Sequence, residues 1–164
     1  MNQSNKIKKI ILGIDPGIAT TGFGVIAVSG QNLKLVDYGC ILTKAGEAHS
    51  VRLKEIHDQL RGIIEKYQPD AGAVEKLFFA SNVKTALTVG EARGVVMLTI
   101  CQHKIPVYEY TPLQVKQAVS AYGKADKKQV QKMVKLLLNL KDIPKPDDAA
   151  DALAVAITCA NTAN

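Results

Sequence analysis

The first hydrophobic feature is a near-continuous apolar run, Ile10-Ile11-Leu12-Gly13-Ile14, closed by Asp15 and broken by Pro16 and Gly17. A run without polar alternation predicts a strand covered on both faces, and so a central position in a sheet. Residues 21–28 and 33–42 have β-type composition and are joined by Ser29-Gly30-Gln31-Asn32, which predicts an antiparallel meander for the first three strands. Leu53, Ile56, Leu60, Ile63, Ile64 and Tyr67 then recur at helical spacing until Gln68-Pro69-Asp70 stops the pattern. A short strand over residues 71–74 follows, ending at Glu75.

Residues 82–103 again predict a helix. Its second half, Gly94-Val95-Val96-Met97-Leu98, is apolar nearly all round, and Gly90 and Gly94 permit close backbone approach. Such a helix is expected to be buried, in a position suited to a subunit contact. Residues 105–110 predict a fifth strand, after which Thr111-Pro112 supplies an N-cap with proline at the first helical position, and Gly123 marks the expected stop. Asp126 caps the next helix, running to about Leu138. The last helix starts after Pro144 and Pro146 with Asp147 as its natural cap, and Ala149, Ala150, Ala152, Ala154 and Ala156 give it a tight-packing surface. This order predicts an α/β protein with a mixed five-stranded sheet flanked by helices.

Composition narrows the class. At 164 residues, 47% of them hydrophobic, the chain is expected to form one domain with a substantial core. A net charge of +6 and a pI near 9.2 favour a polyanionic partner. Cys40, Cys101 and Cys159 are too widely spaced for a zinc site or a disulfide framework, which points to reduced thiols. The first nine residues form a basic N-terminal extension with no signal-peptide core, and no apolar run is long enough to span a bilayer. A soluble, cytoplasmic protein without membrane association is expected.

The chemistry-bearing residues are acidic and far apart. Asp15 and Glu75 close apolar strands, and Asp148 and Asp151 lie three apart at the start of the final helix, projecting from one face. Asp147, four before Asp151, can join that face. Each has an ordinary reading: Asp-Pro-Gly forms turns, a strand can end in a solvated glutamate, and acids favour a helix N-terminus. If the strands carrying Asp15 and Glu75 are parallel neighbours, however, both carboxylates reach one carboxyl edge, where α/β folds place their sites. An oxygen-only ligand set selects hard ions, Mg²⁺ or Mn²⁺. Two such ions about 3.5 to 4 Å apart would hold an attacking water and a leaving oxygen in line for phosphodiester cleavage. From Lys116 to Lys141 seven lysines stand against one acid, Asp126, either as a solvated helix face or, which explains a one-sign cluster better, as a groove that receives phosphates. Phe78 and Phe79 follow Glu75, either as core residues or as a stacking platform for an unpaired base.

Several segments together resemble the RuvC family of Holliday junction resolvases. These are residues 11–17, Ile-Leu-Gly-Ile-Asp-Pro-Gly, then Gly22-Phe-Gly-Val, Ala-Val-Glu-Lys-Leu-Phe at 73–78, Gly90-Glu-Ala-Arg-Gly94, Val115-Lys-Gln117, and Asp148-Ala-Ala-Asp-Ala-Leu-Ala154. The matches are collinear over nearly the whole chain. The resemblance implies an RNase H-like nuclease domain spanning residues 1–164, a homodimer, and symmetric nicking of a four-way DNA junction in recombination and repair. It assigns the metal-binding, catalytic carboxylates to Asp15, Glu75, Asp148 and Asp151, with Asp147 outside the family's frame. It further matches Phe78 to an aromatic used against junction bases, Lys116 and Lys127 to basic residues near the scissile phosphate, and the Gly90 to Gly94 helix to the dimer contact. The RuvA–RuvB branch-migration complex is the implied partner.

Two other readings compete. Gly13-Ile-Asp-Pro-Gly17 also resembles the first phosphate loop of actin-like ATPases and sugar kinases, but those enclose a nucleotide between two such domains and leave the Asp148 to Asp151 helix unexplained. A non-catalytic junction-binding module would bind DNA equally with or without metal.

Overall fold

The computed structural model describes residues 9–78 and 82–163. Among these, five strands form a mixed sheet: β1 (Lys9–Asp15), β2 (Thr20–Ser29), β3 (Asn32–Leu42), β4 (Ala71–Glu75) and β5 (Val107–Tyr110), in the order β3-β2-β1-β4-β5. The first three make the expected antiparallel meander, while β1–β4 and β4–β5 are parallel. The apolar run of β1 is thus central, as its lack of alternation requires.

Five helices cover the two faces: α1 (His49–Tyr67), α2 (Val83–Gln102), α3 (Pro112–Ser120), α4 (Lys127–Leu137) and α5 (Asp147–Thr162). Strand periodicity divides the core between them. Ile11, Ile26, Ala71 and Ala73 pack with α3, α4 and α5, whereas Leu12, Ile14, Val25 and Val74 pack with α1 and α2. Parallel pairing sets Ile14 beside Val74. Asp70 secures that register at the opposite end, its backbone N–H donating to the Ile10 carbonyl at 2.8 Å and its Oδ2 accepting from the Ile10 N–H at 2.7 Å.

Four local expectations need correction. The α3 helix ends at Ser120, where Ala121 takes the left-handed conformation at φ 57° and donates its N–H to the Gln117 carbonyl, so Gly123 lies beyond the stop. The α5 helix is entered from Pro146, and Asp147 is its first helical residue, with a side chain that caps nothing. Its carboxylate is directed instead toward Lys127, 3.5 Å away. The fifth strand starts at Val107, two residues after the apolar segment begins. Finally, α2 is not buried all round within the chain: Ala92, Val96, Thr99 and Ile100 are buried, but Val83, Leu87, Gly94 and Leu98 are exposed. A Cβ built on Gly94 would meet nothing within 4 Å, so this glycine serves no close approach among the described residues.

Candidate active site

Asp15 and Glu75 share a location for a simple reason. Side chains alternate along a strand, so Asp15 follows Ile11 and Gly13 on the α5 face of β1, and Glu75 follows Ala71 and Ala73 on the same face of β4. Because the strands are parallel and in register to Ile14 and Val74, both carboxylates emerge at one sheet edge.

The helix α5 brings the second pair, and it can do so only because the sheet beneath it lacks side chains. A Cβ on Gly13 would fall 2.2 Å from the Ala152 carbonyl oxygen, and one on Gly22 would fall 2.0 Å from that of Asp148. Gly22 is also the β2 residue paired across from Asp15. The start of α5 therefore rests directly beside Asp15, and small residues on both surfaces permit the approach.

The electrostatics record this convergence. Burial and then the charges of Glu75, Asp151 and Asp148 push Asp15 up to about 8, with Lys127 opposing them. Glu75 is raised by burial and by Asp151, partly offset by Lys116 and Lys127. Burial raises Asp151 as well, although Lys127 pulls it down. Lys127 sits 3.2 Å from Asp151 and 3.5 Å from Asp147, and these two carboxylates outweigh the cost of its partial burial and raise its pKa. Like charges held together in a desolvated place favour protons or cations.

Two pockets share Glu75 and Pro112 as a common wall. The first, about 220 Å³, is lined by Lys116, Lys127 and Asp151, with Val115, Val130 and Ala154 as its apolar floor. The second, about 240 Å³, is bounded by Asp15, Pro16, Lys76, Leu77, Phe78, Val89 and Arg93. Of the seven lysines between Lys116 and Lys141, Lys116 and Lys127 line the first pocket, and Lys132 lines a separate groove between α3 and α4. Phe78 is 69% exposed at the rim, which removes the core alternative for it. Phe79 lies outside the described residues.

Among the described residues no three acidic, histidine or cysteine side chains close into a metal cage. The donor set nevertheless fits a hard divalent ion: it is all oxygen, anionic and partly desolvated, with raised carboxyl pKa values that a cation would relieve. Arg93, noted in the sequence only within the Gly90-Glu-Ala-Arg-Gly94 segment, and Glu109 were not read there as site residues. Arg93 donates from Nε to the Glu75 carbonyl at 3.1 Å and pairs through Nη2 with Glu109 at 2.9 Å. The available signal was an arginine at the border of the apolar second half of α2, where a charge requires a partner.

Residues 11–159 match the family model described as "Crossover junction endodeoxyribonuclease RuvC". The chain belongs to the RuvC family. Curated members include one from Brevibacillus brevis, 59% identical over 148 residues, with 90% of this chain and 89% of the relative covered. Another, from Alkaliphilus oremlandii, is 57% identical over 155 residues, covering 94% of each. Both are named crossover junction endodeoxyribonuclease RuvC. Among solved structures, T. thermophilus RuvC in complex with a Holliday junction substrate superposes with a TM-score of 0.90 at 38% identity, covering 94% of both chains. The yeast mitochondrial Holliday junction resolvase Ydc2, at 14% identity and a TM-score of 0.69, covers 92% of this chain and 77% of its own and shares the fold. The RuvC family and these neighbours make the architecture an RNase H-like one.

Proposed function

We propose that this chain resolves Holliday junctions by metal-dependent hydrolysis of phosphodiester bonds, nicking two opposing strands symmetrically. The observation that carries this reading is the meeting of β1, β4 and the start of α5 at one edge, where Glu75 and Asp151 share a pocket with Lys116 and Lys127 and Asp15 feels the charges of Glu75, Asp151 and Asp148. Asp15, Glu75, Asp148 and Asp151 would hold two Mg²⁺ ions, with Mn²⁺ as the alternative. When bound, such ions activate water and stabilise the leaving oxygen. The protein positions the DNA: Lys116 and Lys127 meet the phosphate backbone, and exposed Phe78 stacks on a base unpaired at the crossover. Hydrolysis needs no side-chain nucleophile.

Residues 1–164 act as one nuclease domain in this reading. Two symmetric nicks require two sites related by a twofold axis, so the working unit is a homodimer. The exposed apolar face of α2, with Val83, Leu87 and Leu98, supports that contact. The RuvA–RuvB complex is the branch-migration partner implied by family, and the cytoplasm is the compartment where DNA and reduced cysteines coincide. No helix among the described residues is long and apolar enough to cross a membrane.

The test compares a mobile four-way junction, labelled on each strand, with a linear duplex of the same sequence in Mg²⁺, Mn²⁺ or EDTA. Paired nicks in opposing junction strands, dependent on metal, are expected. Equal cutting of the linear duplex, or cutting in EDTA, refutes the reading. Metal-independent binding without cutting supports the non-catalytic module.

A further inference from the structure

We infer that Arg93 is a positioning residue for Glu75, and that it acts through the peptide joining Glu75 to Lys76. This rests on the metal-site reading given above. The β1–β4 ladder runs out at Ile14 and Val74, one residue before Glu75, while Asp15 pairs away toward Gly22 of β2. The Glu75 side chain therefore leaves β4 where the strand loses its support from β1. A carboxylate that must meet a small cation within a few tenths of an ångström cannot be left on a loosely held strand end.

Two hydrogen bonds replace that support, and both fall on one peptide unit. Its carbonyl, that of Glu75, accepts from Arg93 Nε at 3.1 Å, and its N–H, that of Lys76, donates to the Tyr110 carbonyl at 2.7 Å. The peptide plane after Glu75 is thus pinned from α2 on one side and from β5 on the other. Glu109 completes the device. It pairs with Arg93 at 2.9 Å and is the β5 residue in register with Val74, immediately before Glu75. Both side chains of the pair are largely withdrawn from solvent, at 19% and 34% exposure, so the geometry is held more firmly than in a surface ion pair.

The pairing also has an electrostatic consequence. An unpaired guanidinium beside Asp15 and Glu75 would compete with cations for the site, and Glu109 cancels that charge while leaving the N–H donor aimed at the carbonyl. Lysine cannot substitute: a single ammonium lacks the planar fork that reaches a carbonyl and a carboxylate in fixed directions.

The experiment titrates Mn²⁺ into the metal-free full chain by electron paramagnetic resonance, for the wild type, Arg93→Lys, Glu109→Gln and Glu75→Gln. Melting temperature and junction affinity in EDTA are measured on the same preparations. Loss of a positioning contact weakens metal binding about 10- to 100-fold. That loss is expected for Arg93→Lys, with a smaller one for Glu109→Gln, which keeps the Nε bond; junction affinity in EDTA stays within about threefold, and kcat falls more than KM rises. Wild-type Mn²⁺ affinity in both Arg93→Lys and Glu109→Gln overturns the inference, and so does a loss of Mn²⁺ binding fully accounted for by unfolded protein. Unchanged Mn²⁺ binding in Glu75→Gln instead overturns the metal-site reading itself.

Discussion

At the scale of single residues, Asp15 carries the sharpest consequences. Its carboxyl has an ordinary value of 3.8 and is pushed up to about 8 by burial and by its acidic neighbours. Below 3.8 both folded and unfolded chains hold the proton and the group is neutral to stability. Between 3.8 and about 8 the folded chain retains a proton that the unfolded chain has released, so stability falls as pH rises through that window. In the proposed metal-bound state a divalent cation would relieve that penalty by offsetting the negative charge. Asp15→Asn is therefore expected to raise the melting temperature of the metal-free protein at pH 8 by several degrees, to flatten its pH dependence, and to reduce junction nicking to background. A lower melting temperature in EDTA contradicts the electrostatic account.

Lys127 and Phe78 are the residues proposed to meet the DNA. Removing one phosphate contact lowers the slope of log affinity against log salt by about 0.9. Lys127→Ala should show that change for every junction sequence, measured by gel shift across a salt series, and an unchanged slope would assign Lys127 to the carboxylates alone. Phe78→Ala should lose on the order of tenfold in nicking, since stacking contributes about 1–3 kcal/mol per base. Its melting temperature should hold, because a side chain 69% exposed leaves no cavity behind.

At the scale of elements, α5 is the part that makes a site out of strand ends. It reaches the sheet where Gly13, Gly22 and Gly24 present bare backbone, and any Cβ at Gly22 would overlap the Asp148 carbonyl at 2.0 Å. Gly22→Ala must therefore lift the start of α5 and draw Asp148 and Asp151 away from Asp15. We expect a destabilisation of about 1–3 kcal/mol, read by urea unfolding, and a loss of nicking larger than the unfolded fraction explains. Full activity would show that α5 tolerates displacement.

At the scale of the whole molecule, the exposed face of α2 is the surface to disrupt. Leu98 is 57% exposed and Leu87 64%, both on a helix whose opposite face is buried against α1 and the sheet. A glutamate in place of Leu98 should shift sedimentation from dimer to monomer and uncouple the paired nicks, whereas Leu98→Met should do neither. A wild-type protein that is active as a strict monomer would remove the twofold requirement.

The elements and much of the architecture are legible in the chain's local pattern. The unbroken apolar run of β1, the meander turn at Gly30, the periodic face of α1 and the caps at Thr111 and Asp126 are all local signals, set by sterics and hydrogen bonding within a few residues. Local signals failed where a distant group intervened. Asp147 has the residue type of a cap but turns to Lys127, and the apolar α2 reads as enclosed although Val83, Leu87, Gly94 and Leu98 are exposed. Long-range packing alone makes β1 and β4 parallel neighbours, settles α5 on Gly13, Gly22 and Gly24, and brings Arg93 to the peptide after Glu75. The physical reason is range: strand order, the approach of α5 to the sheet and the partner of a buried charge depend on residues tens of positions away, and no local pattern encodes them.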